Sequence, residues 1–316
     1  MSMNRNTKNG LIGGIPRGQA VDLHTHSYCS DGTVSPAQLV EMAASLGLKA
    51  MALTDHDTVA GIPEALAAAD RLAAQAASSG TAVPEIIPGV EISSEINGYD
   101  IHIVGLYPDW QNQKLQDALA SFAGERDRRN RKICERLQED GYDISYEELT
   151  RRFPDTVITR GQFALLLVEK HYAKDTRDVF ENFLGEHCKY YVNRKMIYPW
   201  DAVRLIREHH GIPILAHPMK YKLSQAQMSR FLEFLTQNGL LGIEVYYSTH
   251  TRAEQRYLLH LAEHFGLLVS GGSDFHGDAK PGLQMMTGYG DLFVPASVLR
   301  QIHDARDLLH HKPDHF

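Results

Sequence analysis

Asp22-Leu-His-Thr-His-Ser-Tyr-Cys-Ser-Asp-Gly32 follows a short apolar run, Ala20–Leu23, that reads as a strand. In an extended backbone, residues two apart share a face. His24 and His26 therefore point the same way at a strand end, where two imidazoles can grip one metal ion. Asp31, in a turn-like Ser-Asp-Gly, is close enough to reach the same cavity. A polar strand-to-loop segment without metal has the same local pattern, so the rest of the chain must decide.

Composition narrows the field. The 316 residues suffice for one large α/β barrel, or a barrel with a small added domain. A hydrophobic share of 43% is ordinary for a globular chain, and the net charge of −7 gives no sign of broad nucleic-acid binding. Cys29, Cys134 and Cys188 lack Cys-X-X-Cys spacing, which fits a reducing compartment rather than a disulfide framework. No apolar run approaches membrane-spanning length. Residues 1–19 read as a flexible leader and the protein as cytoplasmic.

From Ala20 onward strands and helices alternate. Strands are expected at Ala20–Leu23, Leu48–Leu53, Glu85–Val90, Ile101–Leu106, Ile212–Ala216, Leu241–Tyr246 and Leu267–Ser270. The helix after Ser35 carries a cap residue and a proline at its first position, and stops at Gly47. Such an order predicts a largely parallel sheet with helices outside it. The interval 108–196 breaks the rhythm. It reads as a helical insertion, a cap over the mouth of a barrel built from 20–107 and 197–316. Its charged run, Glu125 to Lys132, mixes both signs and reads as a solvated helix face.

Possible ligands gather at strand ends. His24, His26, His56, Glu91, His217, Asp274 and His276 lie at or just past the C-terminal ends of expected strands, the face that carries the active site in a parallel barrel. His102 is the misfit, because it stands near the start of its strand. Each residue has a structural reading of its own. Coincidence for all of them is improbable, and a multi-metal centre is the better account.

Taken together, Asp22-Leu-His-Thr-His-Ser27, Ala52-Leu-Thr-Asp-His-Asp57, Pro88-Gly-Val-Glu-Ile-Ser93, His102-Ile-Val-Gly105, Ala216-His-Pro218 and Gly272-Ser-Asp-Phe-His276 resemble the polymerase-and-histidinol-phosphatase (PHP) phosphoesterases. Within that family the insertion is similar to a branch of nucleoside 3′,5′-bisphosphate phosphatases and enzymes that trim short RNA from its 5′ end. The resemblance implies a distorted (β/α)7 barrel and two or three divalent ions. It assigns His24, His26, Glu91 and Asp274 to a first ion. Glu91 would bridge to a second, held also by His102 and His217, and Asp31, His56 and His276 would hold a third. Asp22 would orient an imidazole. Mn²⁺ is favoured over Zn²⁺ or Fe²⁺ because no cysteine belongs to the set.

The expected chemistry is direct attack of a metal-bridging hydroxide on phosphorus, with Glu91 and His276 in the reacting centre. His250 is either an acid for the leaving oxygen or a neighbour of a helix cap. Arg160, in Thr159-Arg-Gly-Gln-Phe-Ala164, resembles the Arg of an Arg-Pro-His-Phe-Ala pattern in the branch and would bind a second phosphate. Lys220 and Arg194 are further phosphate contacts. The substrate is a small phosphorylated nucleotide, with short single-stranded RNA as an extension; no membrane partner is expected. The alternatives are a histidinol-phosphate-type phosphatase, an amidohydrolase, and a non-catalytic metal-stabilised interaction module.

Overall fold

The computed structural model describes residues 11–12, 15–16, 18–79, 83–97, 99–153, 158–192 and 197–311. Within the expected leader, β1 (Leu11–Ile12) pairs antiparallel with β2 (Ile15–Pro16). Seven strands then form one sheet in sequence order: β3 (Val21–Thr25), β4 (Ala50–Leu53), β5 (Glu85–Ile96), β6 (Tyr99–Leu106), β7 (Ile212–Leu215), β8 (Gly242–Tyr247) and β9 (Leu268–Gly272). The chain beyond β9 returns to β3: the Asp274 amide donates to the His24 carbonyl and the His26 amide to the Phe275 carbonyl, each at 2.9 Å. The sheet is therefore nearly closed, an α/β barrel. Gly272 permits this seam, since a Cβ there would lie 2.4 Å from the His24 Cβ.

Helices α1 (Pro36–Leu46), α2 (Ile62–Ser79), α7 (Pro199–Glu208), α8 (Gln225–Gln237) and α9 (Arg252–Phe265) connect the strands. Local chemistry sets their ends. Ser35 and Gln38 close a capping box on α1, and Gly47 ends that helix at φ 68°. Thr251 with Glu254 and Gly266 do the same for α9. The barrel interior is filled by Val21, Leu23, Ala50, Ala52, Ile87, Val104, Ile212 and Ile214. A last helix, α10 (Val298–His311), packs Val298, Leu299 and Ile302 into that same cluster. It has no counterpart among the elements expected from the sequence.

The sheet is not parallel throughout. β3, β4 and β5 are parallel, as are β7, β8 and β9, but β6 runs antiparallel to both neighbours. β5 continues to Ile96, past the expected end at Glu91, and forms a long hairpin with β6 in which Ser93 faces His102. The beginning of β6 therefore lies where the other strands end. That reversal removes the misfit of His102.

It also sends the chain away from the mouth at Leu106. Helix α3 (Gln113–Glu139) brings it back: 27 residues at 1.5 Å each give about 40 Å. Its first half buries Leu115 and Leu119 in the barrel's outer core. Its second half buries Ile133 and Leu137 in a separate core with Leu149, Phe163, Leu167 and Val179. Those residues come from α4 (Tyr146–Arg152), α5 (Arg160–Glu169) and α6 (Thr176–Asn182). The chain rejoins the barrel where Ile197 bridges Ser94 on β5.

Candidate metal centre

At the barrel mouth the carboxylate of Glu91 is fully buried and surrounded by imidazoles. Its Oε2 lies 3.2 Å from the Nε2 of both His24 and His26, and 3.1 Å from His56 Nδ1. Its Oε1 lies 2.9 Å from His102 Nδ1 and 3.1 Å from His217 Nε2. Asp274 Oδ1 comes within 3.3 Å of His26 Nε2, and Asp31 Oδ1 within 3.1 Å of His276 Nε2. Three tight donor groups result: His24, His26, Glu91 and Asp274; His26, Asp31, His56 and His276; and His56, Glu91 and His102. His217 approaches Glu91 beside the last group without joining it.

The donor atoms themselves point to cations. Among the described residues, His24 Nε2, His26 Nε2, His56 Nδ1, Glu91 Oε2 and His217 Nδ1 are buried without a hydrogen-bond partner. Buried polar atoms are nearly always satisfied. The atoms of His24, His26, His56 and Glu91 lie within the donor groups and fit divalent cations; His217 meets Glu91 through Nε2, so its orphaned Nδ1 stands apart from them. The charges are strongly coupled. Burial opposes ionisation of Glu91, but the imidazoles of His56, His24 and His102 hold its carboxyl well below the usual range. Burial likewise opposes a charge on His26, and Asp274 with Glu91 overrides it, raising that imidazole to about 9.

A supporting layer fixes the donors. Glu244 is buried on β8; its Oε1 lies 3.1 Å from His24 Nδ1, and its Oε2 accepts the His217 amide at 2.7 Å. Asp55 accepts the Ser27 amide and the Ser27 and Ser30 hydroxyls, so it ties down the loop that carries His26 and Asp31. Asp22 does not orient an imidazole as expected. Its carboxylate takes the Ser273 amide and hydroxyl and the Met286 amide, clamping the backbone that delivers Asp274. Asp57, His217 and Asp274 hold left-handed backbones at φ 54°, 28° and 59°. Such conformations cost about 1–3 kcal/mol each and cluster at functional sites.

Above the donors lies a cavity of about 400 Å³. Asp31, His56, Ser93 and His102 form its barrel side, Arg126, Arg129, Arg160, Phe180 and Tyr191 its other wall, and Lys220 its rim. Arg160 is partly exposed, 3.8 Å from Asp100 and 5.7 Å from the Tyr191 ring centre. Gly161 and Gln162, where the sequence departs from the branch pattern, serve the helix start: Thr159 and Gln162 close a capping box and the Gly161 amide donates to Thr159. His250 is buried behind Tyr247 with Nδ1 on the Val245 carbonyl, and it does not line the cavity. Arg194 lies outside the described residues.

The charged run of α3 is only in part the solvated face expected from its sequence: Asp127, Arg128, Arg131 and Lys132 are exposed, but two arginines turn inward. Arg126 is only 4% exposed and pairs with Asp57, while Arg129 lines the cavity. The signal was one of phase. Leu115, Leu119, Phe122 and Arg126 recur at helical spacing, so Arg126 continues the buried stripe. Glu244 carried a fainter one, an acid inside the apolar strand Gly-Ile-Glu-Val.

Residues 22–270 match the PHP domain family, over well more than half of the chain. This chain belongs to the PHP family. It is a metal-dependent phosphoesterase, a hydrolase acting on phosphate esters. The 5′-3′ exoribonuclease Rnm of Salmonella typhimurium is 35% identical over 255 residues, 81% of this chain and 84% of that protein. A 3′,5′-nucleoside bisphosphate phosphatase of Chromobacterium violaceum is 33% identical over 264 residues, 83% and 89% of the two chains. A crystal structure from Bifidobacterium adolescentis, described as a metal-dependent phosphoesterase, superposes with a TM-score of 0.76 at 28% identity, over 92% of this PHP chain and 98% of the other. Among the described residues no helix is long and apolar enough to cross a membrane.

Proposed function

We propose that the enzyme removes phosphate from small nucleotides that carry two phosphates, nucleoside 3′,5′-bisphosphates foremost, with short 5′-phosphorylated oligoribonucleotides as a second class. One observation carries this reading. Arg126 lines the cavity, is almost wholly buried, and its Nη1 has no hydrogen-bond partner among the described residues. A buried guanidinium nitrogen left unsatisfied is costly unless a ligand completes it. Arg129 and Arg160 line the same space, so an anion next to the reacting one has cations to meet. The same arginines disfavour histidinol phosphate, whose amine is cationic. Relatives named as a bisphosphate phosphatase and an exoribonuclease agree with a nucleotide substrate.

His24, His26, Glu91 and Asp274 would hold one ion, Glu91, His102 and His217 a second, and Asp31, His56 and His276 a third; Mn²⁺ is preferred because the set holds no thiolate. Bound divalent ions supply a water activated for attack and neutralise charge gathering on the phosphoryl oxygens. Glu91 presents one oxygen to each side of the cluster and so sets the spacing of its halves. Helices α3 to α6 act as a cap that closes the cavity over the substrate and excludes bulk water. Arg126 and Arg160 fix the non-reacting phosphate, and Lys220 reaches the rim of the same space. His250, which does not line the cavity, supports Tyr247 by packing rather than transferring a proton. The compartment read from the cysteines remains the cytoplasm.

The test is phosphate release from adenosine 3′,5′-bisphosphate, a 5′-phosphorylated RNA trinucleotide, histidinol phosphate and p-nitrophenyl phosphate, each with Mn²⁺, Zn²⁺ or Fe²⁺. The bisphosphate is expected to give the highest kcat/KM. Preference for histidinol phosphate, or silence on all four substrates, would sink the proposal. In ¹⁸O-water, single-turnover phosphate is expected to carry one solvent oxygen.

A further inference from the structure

Asp274 has two carboxylate oxygens with opposite company. Oδ1 faces the donor cluster: His26 Nε2 at 3.3 Å, His276 Nδ1 at 3.5 Å and His24 Nε2 at 3.7 Å. Oδ2 faces away and accepts two strong donors, the Tyr247 hydroxyl at 2.7 Å and the Lys280 ammonium at 2.6 Å. Neither Tyr247 nor Lys280 belongs to a donor group, and nothing argued above uses either as a ligand.

Both partners are themselves held. Tyr247 ends β8, is 5% exposed, and packs between the rings of His217 and His250 at 5.4 and 5.1 Å. Lys220 also donates to its hydroxyl, at 3.3 Å. Lys280 follows the single turn Gly277–Ala279, which is braced by the Asp278 amide on Thr33 Oγ1 at 2.8 Å. The clamp therefore approaches from two separate elements of the fold.

We infer that Tyr247 and Lys280 are positioning residues that hold Asp274 as a one-oxygen metal ligand. An ammonium and a phenol take up Oδ2, and only Oδ1 is left to turn toward the cluster. A carboxylate free to rotate can bind a cation through both oxygens, and a rigid centre must prevent that swing. The left-handed backbone of Asp274 aims the side chain, and the clamp fixes its last torsion. This inference rests on the metal-centre reading above.

The test uses the full-length protein, stripped by chelation and titrated with Mn²⁺, with free Mn²⁺ followed by electron paramagnetic resonance. The parent must bind Mn²⁺; if it does not, the metal-centre reading fails and the clamp fails with it. If the parent binds, the double variant Tyr247→Phe/Lys280→Met is expected to lose at least about 10-fold in affinity at one site, the range seen when groups supporting ligands are removed. Lys280→Met alone should bind more weakly than the parent, and Lys280→Arg should recover most of the loss. Lys280 reaches the surface, so the single variants also serve if the double variant does not fold. Unchanged affinity in Lys280→Met would overturn the inference. Tighter binding would overturn it as well, because Lys280 would then act as a repelling charge and not as a clamp.

Discussion

The floor and the far wall of the cavity are built on opposite electrostatic plans. The floor crowds carboxylates and imidazoles so closely that, among the described residues, four atoms of its donor groups have no hydrogen-bond partner. The wall carries guanidinium groups, one of them buried with a nitrogen unsatisfied. The floor is short of cations and the wall is short of an anion. A divalent ion and a phosphate complete both at once, and neither surface alone defines the substrate. On the proposed reading, the floor is chemistry common to phosphate esters and the wall is where choice among them is made.

Four substitutions break this comparison in different places. Glu91→Gln attacks the floor at the residue that touches both sides of the cluster. Activity on every phosphate ester should fall by at least about 10³-fold, with loss of bound metal measured by elemental analysis. Arg126→Met attacks the wall. The kcat/KM for a 3′,5′-bisphosphate should fall by roughly 10²-fold or more, because a buried charge pair with Asp57 is lost together with the phosphate contact. Turnover of p-nitrophenyl phosphate should fall much less; equal losses would make Arg126 merely structural. Glu244→Gln loosens the floor without removing a donor, and should weaken metal binding about 10–100-fold in a chelator competition. Arg160→Ala should have the smallest effect, about 10-fold on the bisphosphate, since Arg160 is partly exposed and already faces Asp100. A larger loss for Arg160 than for Arg126 would reverse their ranking.

The floor was legible in sequence because its donors sit in short local motifs at strand ends. His24 and His26, two apart, share a cavity with ring centres 5.1 Å apart. Strand direction was not legible, because a period of two is the same read forward or backward. Hence His102 looked misplaced until β6 proved antiparallel. The wall was hidden for a different reason. Six charged neighbours around Arg126 made the segment look solvated, although its helical phase with Leu115, Leu119 and Phe122 argued otherwise. Asp22 was recognised as important and given the wrong partner. A carboxylate next to a ligand in sequence can support either a ring or a backbone, and here Ser273, distant in sequence, decides.

Helix α3 has a mechanical consequence. One uninterrupted rod is shared by two hydrophobic cores, with Leu115 and Leu119 at one end and Ile133 and Leu137 at the other. Melting a turn in its middle breaks consecutive hydrogen bonds and unseats Arg126 from Asp57, so the two cores cannot loosen independently through this connection. Heating should register as a single cooperative transition in which both cores are lost together.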